Sequence, residues 1–406
     1  MKKTSKNSKR SNSTTRKKSK YFIYALIGAL VCAGGAISYK NIRANHVFKI
    51  DNRAPACYES AFTFIPDFND DESAIGFNWF EIFSSDISNM DLSGLGDKIK
   101  FMSFDNYARF PSADKMPIGF DPETVLENGK NPGLGIRSLH SHGITGKGIT
   151  VAIIDNGLKT NCNEIKDNLI HYEVLGKPCL HYHGTMVSSL LCGKTTGVAP
   201  DAKLVYFASG VAPAAKDENY SLTNDITALN KILEMNKHLP KDKRISAVSI
   251  SRGWYKGHKD YEKFKEIVSK LIESGVMVLH VGSEAYNFAD KFDLLDRKPN
   301  ADPDNIESYS FSFVRPSTIL VPAGGRTGAG PEGNYMYWGV KDGGNSWAVP
   351  YIVGVYALAK QVYPDLMPKE FFEIVRKTGY RLENLYGDYN VIIQPTKIIE
   401  YLQNKK

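Results

Sequence analysis

The chain has 406 residues, 42% hydrophobic and 23% charged, enough to bury a full-sized core in more than one module. Its formal charge of +7 falls to −2 once nine cations in the first twenty residues are set aside (Lys2, Lys3, Lys6, Lys9, Arg10, Arg16, Lys17, Lys18 and Lys20). The body is therefore close to neutral, which argues against a nucleic-acid binder.

In chain order, residues 1–20 read as a basic tail. Tyr21–Tyr39 is an uncharged, largely apolar run of 19 residues. At about 1.5 Å per residue it spans roughly 28 Å as a helix, close to the hydrocarbon thickness of a bilayer. The cations before it outnumber Lys40 and Arg43 after it, which predicts a cytoplasmic N-terminus and an extracytoplasmic body. The expected form is an uncleaved anchor. The alternative is a signal segment cut near Ala33-Gly34-Gly35-Ala36, giving a secreted protein.

Residues 40–119 form a stretch of different texture, with ten acids against three bases between positions 51 and 100. It reads as a permanent N-terminal extension or a propeptide-like region, with the extension preferred. Cys57, Cys162, Cys179 and Cys192 follow the membrane segment. A local Cys162–Cys179 disulfide and free buried thiols are both compatible with the spacing, and no Cys/His pattern argues for zinc.

From residue 120 to 406 strands and helices alternate. Ile149–Ile154, Lys203–Ala208, Ile245–Ser251, Val276–Val281 and Thr318–Val321 are predicted strands. Asp225–Met235 and Tyr261–Ser274 are predicted helices between them. Continuous β-branched runs suit parallel strands covered on both faces. The expected fold is α/β and doubly wound, a mostly parallel sheet with helices on both faces, preceded by the N-terminal transmembrane helix.

Three segments carry the chemistry. Asp155 closes the first strand and precedes Asn156-Gly157. His183, followed by Gly184-Thr185, opens a helical stretch, and its glycine lets that helix begin close to the strand ends. Ser346 lies in Gly344-Asn345-Ser346-Trp347-Ala348-Val349-Pro350, ahead of a second helical run, with Pro350 expected in the first turn. A carboxylate, an imidazole and a hydroxyl are the parts of a nucleophilic triad. A hydroxyl at a helix N-terminus also meets free N–H groups that favour negative charge. His181 reads as a neighbouring surface histidine.

The order Asp…His…Ser, with Thr196-Gly197-Val198-Ala199-Pro200 after the histidine, resembles the subtilisin-like serine proteases (subtilases, peptidase family S8). That resemblance implies a serine endopeptidase with Asp155, His183 and Ser346 as catalytic residues, acting on peptide or protein substrates. It implies that Ser251-Arg252-Gly253 pairs with substrate as an added strand. Arg252 stands where the family is usually apolar, either to favour acidic or polar substrate residues or to lie in solvent. The family's oxyanion asparagine aligns with Ser283, and Asn287 is the other candidate donor. Asn345 and Trp347 also depart from the family's motif around the serine. These departures leave a second reading open, a weak or inactive pseudoprotease that binds a peptide or protein partner. No cofactor is expected. Calcium often stabilises the family, but the sequence shows no acidic loop from which to name ligands.

Overall fold

The structure is a computed structural model. It describes residues 47–52, 58–59, 80–177, 179–210, 221–253, 260–281, 292–311, 318–340, 344–383 and 389–405. The strands in chain order are β1 (Tyr58–Glu59), β2 (Phe80–Ile82), β3 (Met102–Asp105), β4 (Thr150–Asp155), β5 (Leu169–Val174), β6 (Leu180–His181), β7 (Lys203–Ala208) and β8 (Ile245–Ile250). They continue with β9 (Met277–His280), β10 (Phe292–Arg297), β11 (Tyr309–Ser310), β12 (Ile319–Pro322), β13 (Arg326–Ala329), β14 (Tyr335–Trp338), β15 (Tyr380–Glu383) and β16 (Tyr389–Ile392). The helices are α1 (Pro122–Lys130), α2 (Ile136–Ser141), α3 (Tyr182–Cys192), α4 (Thr223–His238), α5 (Tyr261–Glu273), α6 (Asn345–Val362), α7 (Pro368–Thr378) and α8 (Pro395–Asn404).

The central sheet runs in the order β5-β7-β4-β8-β9, every pair parallel. Side chains alternate across its faces, as the two-residue period of a strand requires. Val151 and Ile153 face the larger core with α3 and α6, while Ala152 and Ile154 face a second core with α4 and α5. Burial on both sides explains why β4 reads as an unbroken apolar run rather than an alternating one. The predicted strands and helices match the observed ones to within two residues, except at the C-terminal end of α4, which runs three residues further, to His238.

Helix α6 is apolar on all sides, the mark of a helix buried through a core rather than lying on a surface. It packs on α3, β8 and α8. Gly354 lets the segment that follows α3 lie close against α6: a Cβ there would lie 2.6 Å from Val198.

Residues 80–119 are built into the later part of the chain. β2 pairs with β3, and β3 pairs antiparallel with β14, in a sheet of order β13-β14-β3-β2. Ile82, Phe104 and Met116 share one apolar cluster with Phe120, Val125, Leu126 and Tyr337. The texture change near residue 120 therefore falls inside a core. Tyr21–Tyr39 lies outside the described residues. Among those described, no helix is long and apolar enough to cross a membrane.

Cys162 and Cys192 are free and buried, whereas Cys179 is disulfide-bonded. The Cys162–Cys179 bridge allowed by the sequence is thus not formed. The partner of Cys179 lies outside the described residues.

Candidate active site

All the parallel strands of the central sheet end at one edge, and the functional groups gather there, as open α/β sheets dictate. Asp155 is the last residue of the central strand β4. His183 is the second residue of α3, and Ser346 is the second residue of α6. Ser251 follows the end of β8.

His183 Nδ1 lies 2.8 Å from Asp155 Oδ1. An ionised carboxylate only accepts, so the nitrogen between them carries the proton and Nε2 is left to act as base. The His183 side chain is 17% exposed and that of Asp155 is wholly buried. Asn156 N–H also donates to Asp155 Oδ1, at 2.7 Å. Burial pushes the Asp155 carboxyl up. The charge and hydrogen bond of His183, the charge of Arg252 and the Asn156 N–H outweigh it, so its pKa falls below the ordinary carboxylate value.

The start of α3 is fixed from both sides. His181 caps it: its Nδ1 accepts from His183 N–H at 3.1 Å. This gives the neighbouring histidine a structural task. Gly184 sits tightly on the strand end, where a Cβ would lie 2.4 Å from the Tyr206 hydroxyl and 2.9 Å from the Asn156 carbonyl. The Tyr206 hydroxyl itself donates to Asn156 O at 2.5 Å.

Ser346 and Ser251 are bonded reciprocally. The Ser346 hydroxyl donates to Ser251 O at 3.2 Å, and the Ser251 hydroxyl donates to Ser346 O at 2.8 Å. In this resting arrangement the Ser346 hydroxyl is turned to Ser251 rather than to His183. Pro350 falls in the second turn of α6, not the first as the sequence suggested, because the helix already begins at Asn345.

Arg252 is neither in solvent nor free to receive an acidic substrate residue. It is 6% exposed and forms an ion pair with buried Asp225 at 2.9 Å. It also donates to the Ser209 hydroxyl and, at 3.0 Å, to Gly210 O. A buried cation is tolerable only when paired and hydrogen-bonded, and α4 supplies the carboxylate. Sequence reasoning missed Asp225 and Ser209. The signal available was an arginine ending an otherwise buried strand, which calls for an acid nearby. Gly253 follows, exposed.

Ser283 and Asn287 lie outside the described residues. Among those described, no three His, Cys, Asp or Glu side chains are grouped to hold a metal ion.

Residues 146–284 match the model of the subtilase family. The matched segment holds Asp155, His183 and Ser251–Gly253 but stops short of Ser346. A "Subtilisin-like protease 2" of Trichophyton verrucosum is 30% identical over 135 residues, covering 32% of this chain and 30% of that protein. The chain thus aligns with less than a third of the length of that relative. A "Thermostable alkaline protease" of Halalkalibacterium halodurans is 22% identical over 269 residues, 63% of this chain and 69% of that protein. Among solved structures, the prenylagaramide maturation protease PagA superposes with a TM-score of 0.51 at 16% identity, over 66% of this chain and 99% of the other. The A-subunit of the AB5 toxin from E. coli gives 0.51 at 17% identity, over 67% and 98%. The fold is therefore subtilisin-like. The resemblance read from the sequence is supported on two counts: residues 146–284 match the subtilase family model, and the fold is subtilisin-like.

Proposed function

We propose that the protein is a serine endopeptidase that cuts peptide bonds through an acyl-enzyme. The observation that carries this reading is the 2.8 Å His183–Asp155 pair at the sheet edge, with Ser346 in the first turn of α6. Asp155 holds the imidazole in the tautomer that leaves Nε2 basic. A substrate strand lying along Ser251–Gly253 offers an N–H to Ser251 O. That displaces the Ser346 hydroxyl, which rotates about χ1 toward His183. Ser346 Oγ then attacks the carbonyl carbon while His183 takes its proton. His183 returns the proton to the leaving amine, and water cleaves the resulting ester by the same route in reverse. The backbone N–H of Ser346, near the start of α6, has no helical acceptor and faces negative charge favourably. It serves as one oxyanion donor, and Ser283 or Asn287 is proposed as the second.

Peptide or protein is the proposed substrate. Residues 21–39 are proposed as a membrane anchor with the catalytic region extracytoplasmic, supported by their length, their lack of charge and the cations before them. Residues 80–119 are proposed to stay with the mature enzyme, because cutting them away would remove β3 from β14 and β2 with it. The Ser346 hydroxyl resting on Ser251 O favours one second reading, a peptide-binding pseudoprotease in which that rotation never occurs.

The test is cleavage of a mixed peptide library, read by mass spectrometry, by the parent and by Ser346→Ala. Cleavage by the parent alone supports the peptidase. No cleavage by either folded protein, with library peptides retained, supports the pseudoprotease.

A further inference from the structure

The residue after the nucleophile is a tryptophan, and it is packed against the base. The rings of Trp347 and His183 have centroids 5.4 Å apart with planes tilted by 34°. Trp347 is 1% exposed. Behind it the edge of Trp338 meets it at 5.5 Å. Trp338 is held in turn by Phe83 at 5.0 Å and by stacking on Tyr182 at 5.3 Å. Neither indole N–H has a hydrogen-bond partner among the described residues. Both indoles are held by ring contacts, to each other and, through Trp347, to His183.

We propose that Trp347 is a positioning residue for His183; the inference rests on the peptidase reading above. The nucleophile and the ring that backs the base are consecutive residues on one helical turn. The geometry of α6 therefore sets how far His183 Nε2 stands from Ser346. The indole also removes water from one face of the imidazole and offers π density to the imidazolium that forms when Ser346 loses its proton. Phe83 links this support to residues 80–119 through Trp338, so the early segment helps to hold the base.

The experiment measures inactivation of the full chain by a serine-directed fluorophosphonate, separating the maximal rate kinact from the half-saturating concentration KI. It compares the parent with Trp347→Phe, Trp347→Leu, Trp338→Leu and Ser346→Ala, each checked for folding by thermal unfolding. Trp347→Phe keeps a ring and is expected to stay within about threefold of the parent. Trp347→Leu is expected to lower kinact by about 100-fold with KI unchanged, the scale of a small misplacement of a catalytic group. Trp338→Leu perturbs the same aromatic group without touching His183 and is expected to cost less than a tenth as much. Where Trp347→Leu does not fold, Trp347→Met, longer and more adaptable but also without a ring, takes its place. A folded ring-less variant within threefold of the parent overturns the inference and leaves the peptidase reading intact, as does equal slowing by Trp338→Leu. A parent that is not labelled at all overturns the peptidase reading, and this inference with it.

Discussion

Ser251 supplies to Ser346 the hydrogen bond that Pro350 withholds. In α6 the carbonyl of Ser346 would accept from the N–H four residues on, which is Pro350 and has none. The Ser251 hydroxyl fills that place at 2.8 Å, tying the end of β8 to the turn that bears the proposed nucleophile. Ser251→Ala leaves that carbonyl without its donor. The expected cost is about 1–3 kcal/mol, read by denaturant unfolding, with most of it restored in Ser251→Thr. Unchanged stability in Ser251→Ala would show that the bond contributes nothing.

Arg252 and Asp225 are expected to act on stability rather than on choice of substrate. Arg252→Leu strands a buried carboxylate and should cost about 3–5 kcal/mol. The double variant with Asp225→Leu should recover a large part of that loss. The cut sites of the double variant in a peptide library should match those of the parent. A selective loss of cuts beside acidic residues would contradict the inward-facing placement.

Gly184→Ala should damage stability and activity together. The new methyl meets the Tyr206 hydroxyl and the Asn156 carbonyl, so α3 must shift and carry His183 with it. Overpacking of this kind costs about 1–3 kcal/mol, and the shift should slow peptide cleavage by about 100-fold. Thermal unfolding and a rate measurement check both parts. Parent-like values would mean that the helix can move without moving the base.

His280 makes the fold sensitive to acid. Its ring is wholly buried at the end of β9, edge-on to Phe264 at 5.6 Å. Burial lowers its pKa to about 4. The unfolded chain takes up a proton near the ordinary histidine value while the folded chain does not. Stability is therefore present in full above about pH 6.5 and falls as the pH drops from there toward 4. Between pH 7.5 and 5 the parent should lose about 2 kcal/mol more than His280→Leu, measured by chemical denaturation at both values. An equal loss in both proteins would remove His280 as the cause.

Much of the architecture was legible because the central strands are buried on both faces. Ile149–Ile154 and Ile245–Ser251 stand out as β-branched runs, and Asp155 and His183 stand at element ends with glycines beside them. The structure of residues 80–119 was not legible, because β2 and β3 are short and their partner β14 lies more than 200 residues away. The inward pairing of Arg252 was hidden for a related reason. Its carboxylate partner sits on α4, 27 residues earlier, so the buried strand end shows that an acid is needed but not which one. Cys162 and Cys179 are close in sequence, whereas β6 pairs with the much earlier β1. The role of Pro350 depended on where α6 begins, and helix ends are the part of a sequence reading most easily displaced by a turn.

The proposed chemistry stands or falls with Ser346 as a nucleophile activated by His183 and Asp155. Treating the full chain with a fluorophosphonate and locating the adduct by peptide mass spectrometry tests this at the reacting atom. A single adduct on Ser346 is expected. Labelling should slow by about 10⁴-fold in Asp155→Asn, where the imidazole takes the wrong tautomer, and equally strongly in His183→Ala. An unlabelled Ser346 in the folded parent, or labelling indifferent to His183→Ala, would contradict the triad.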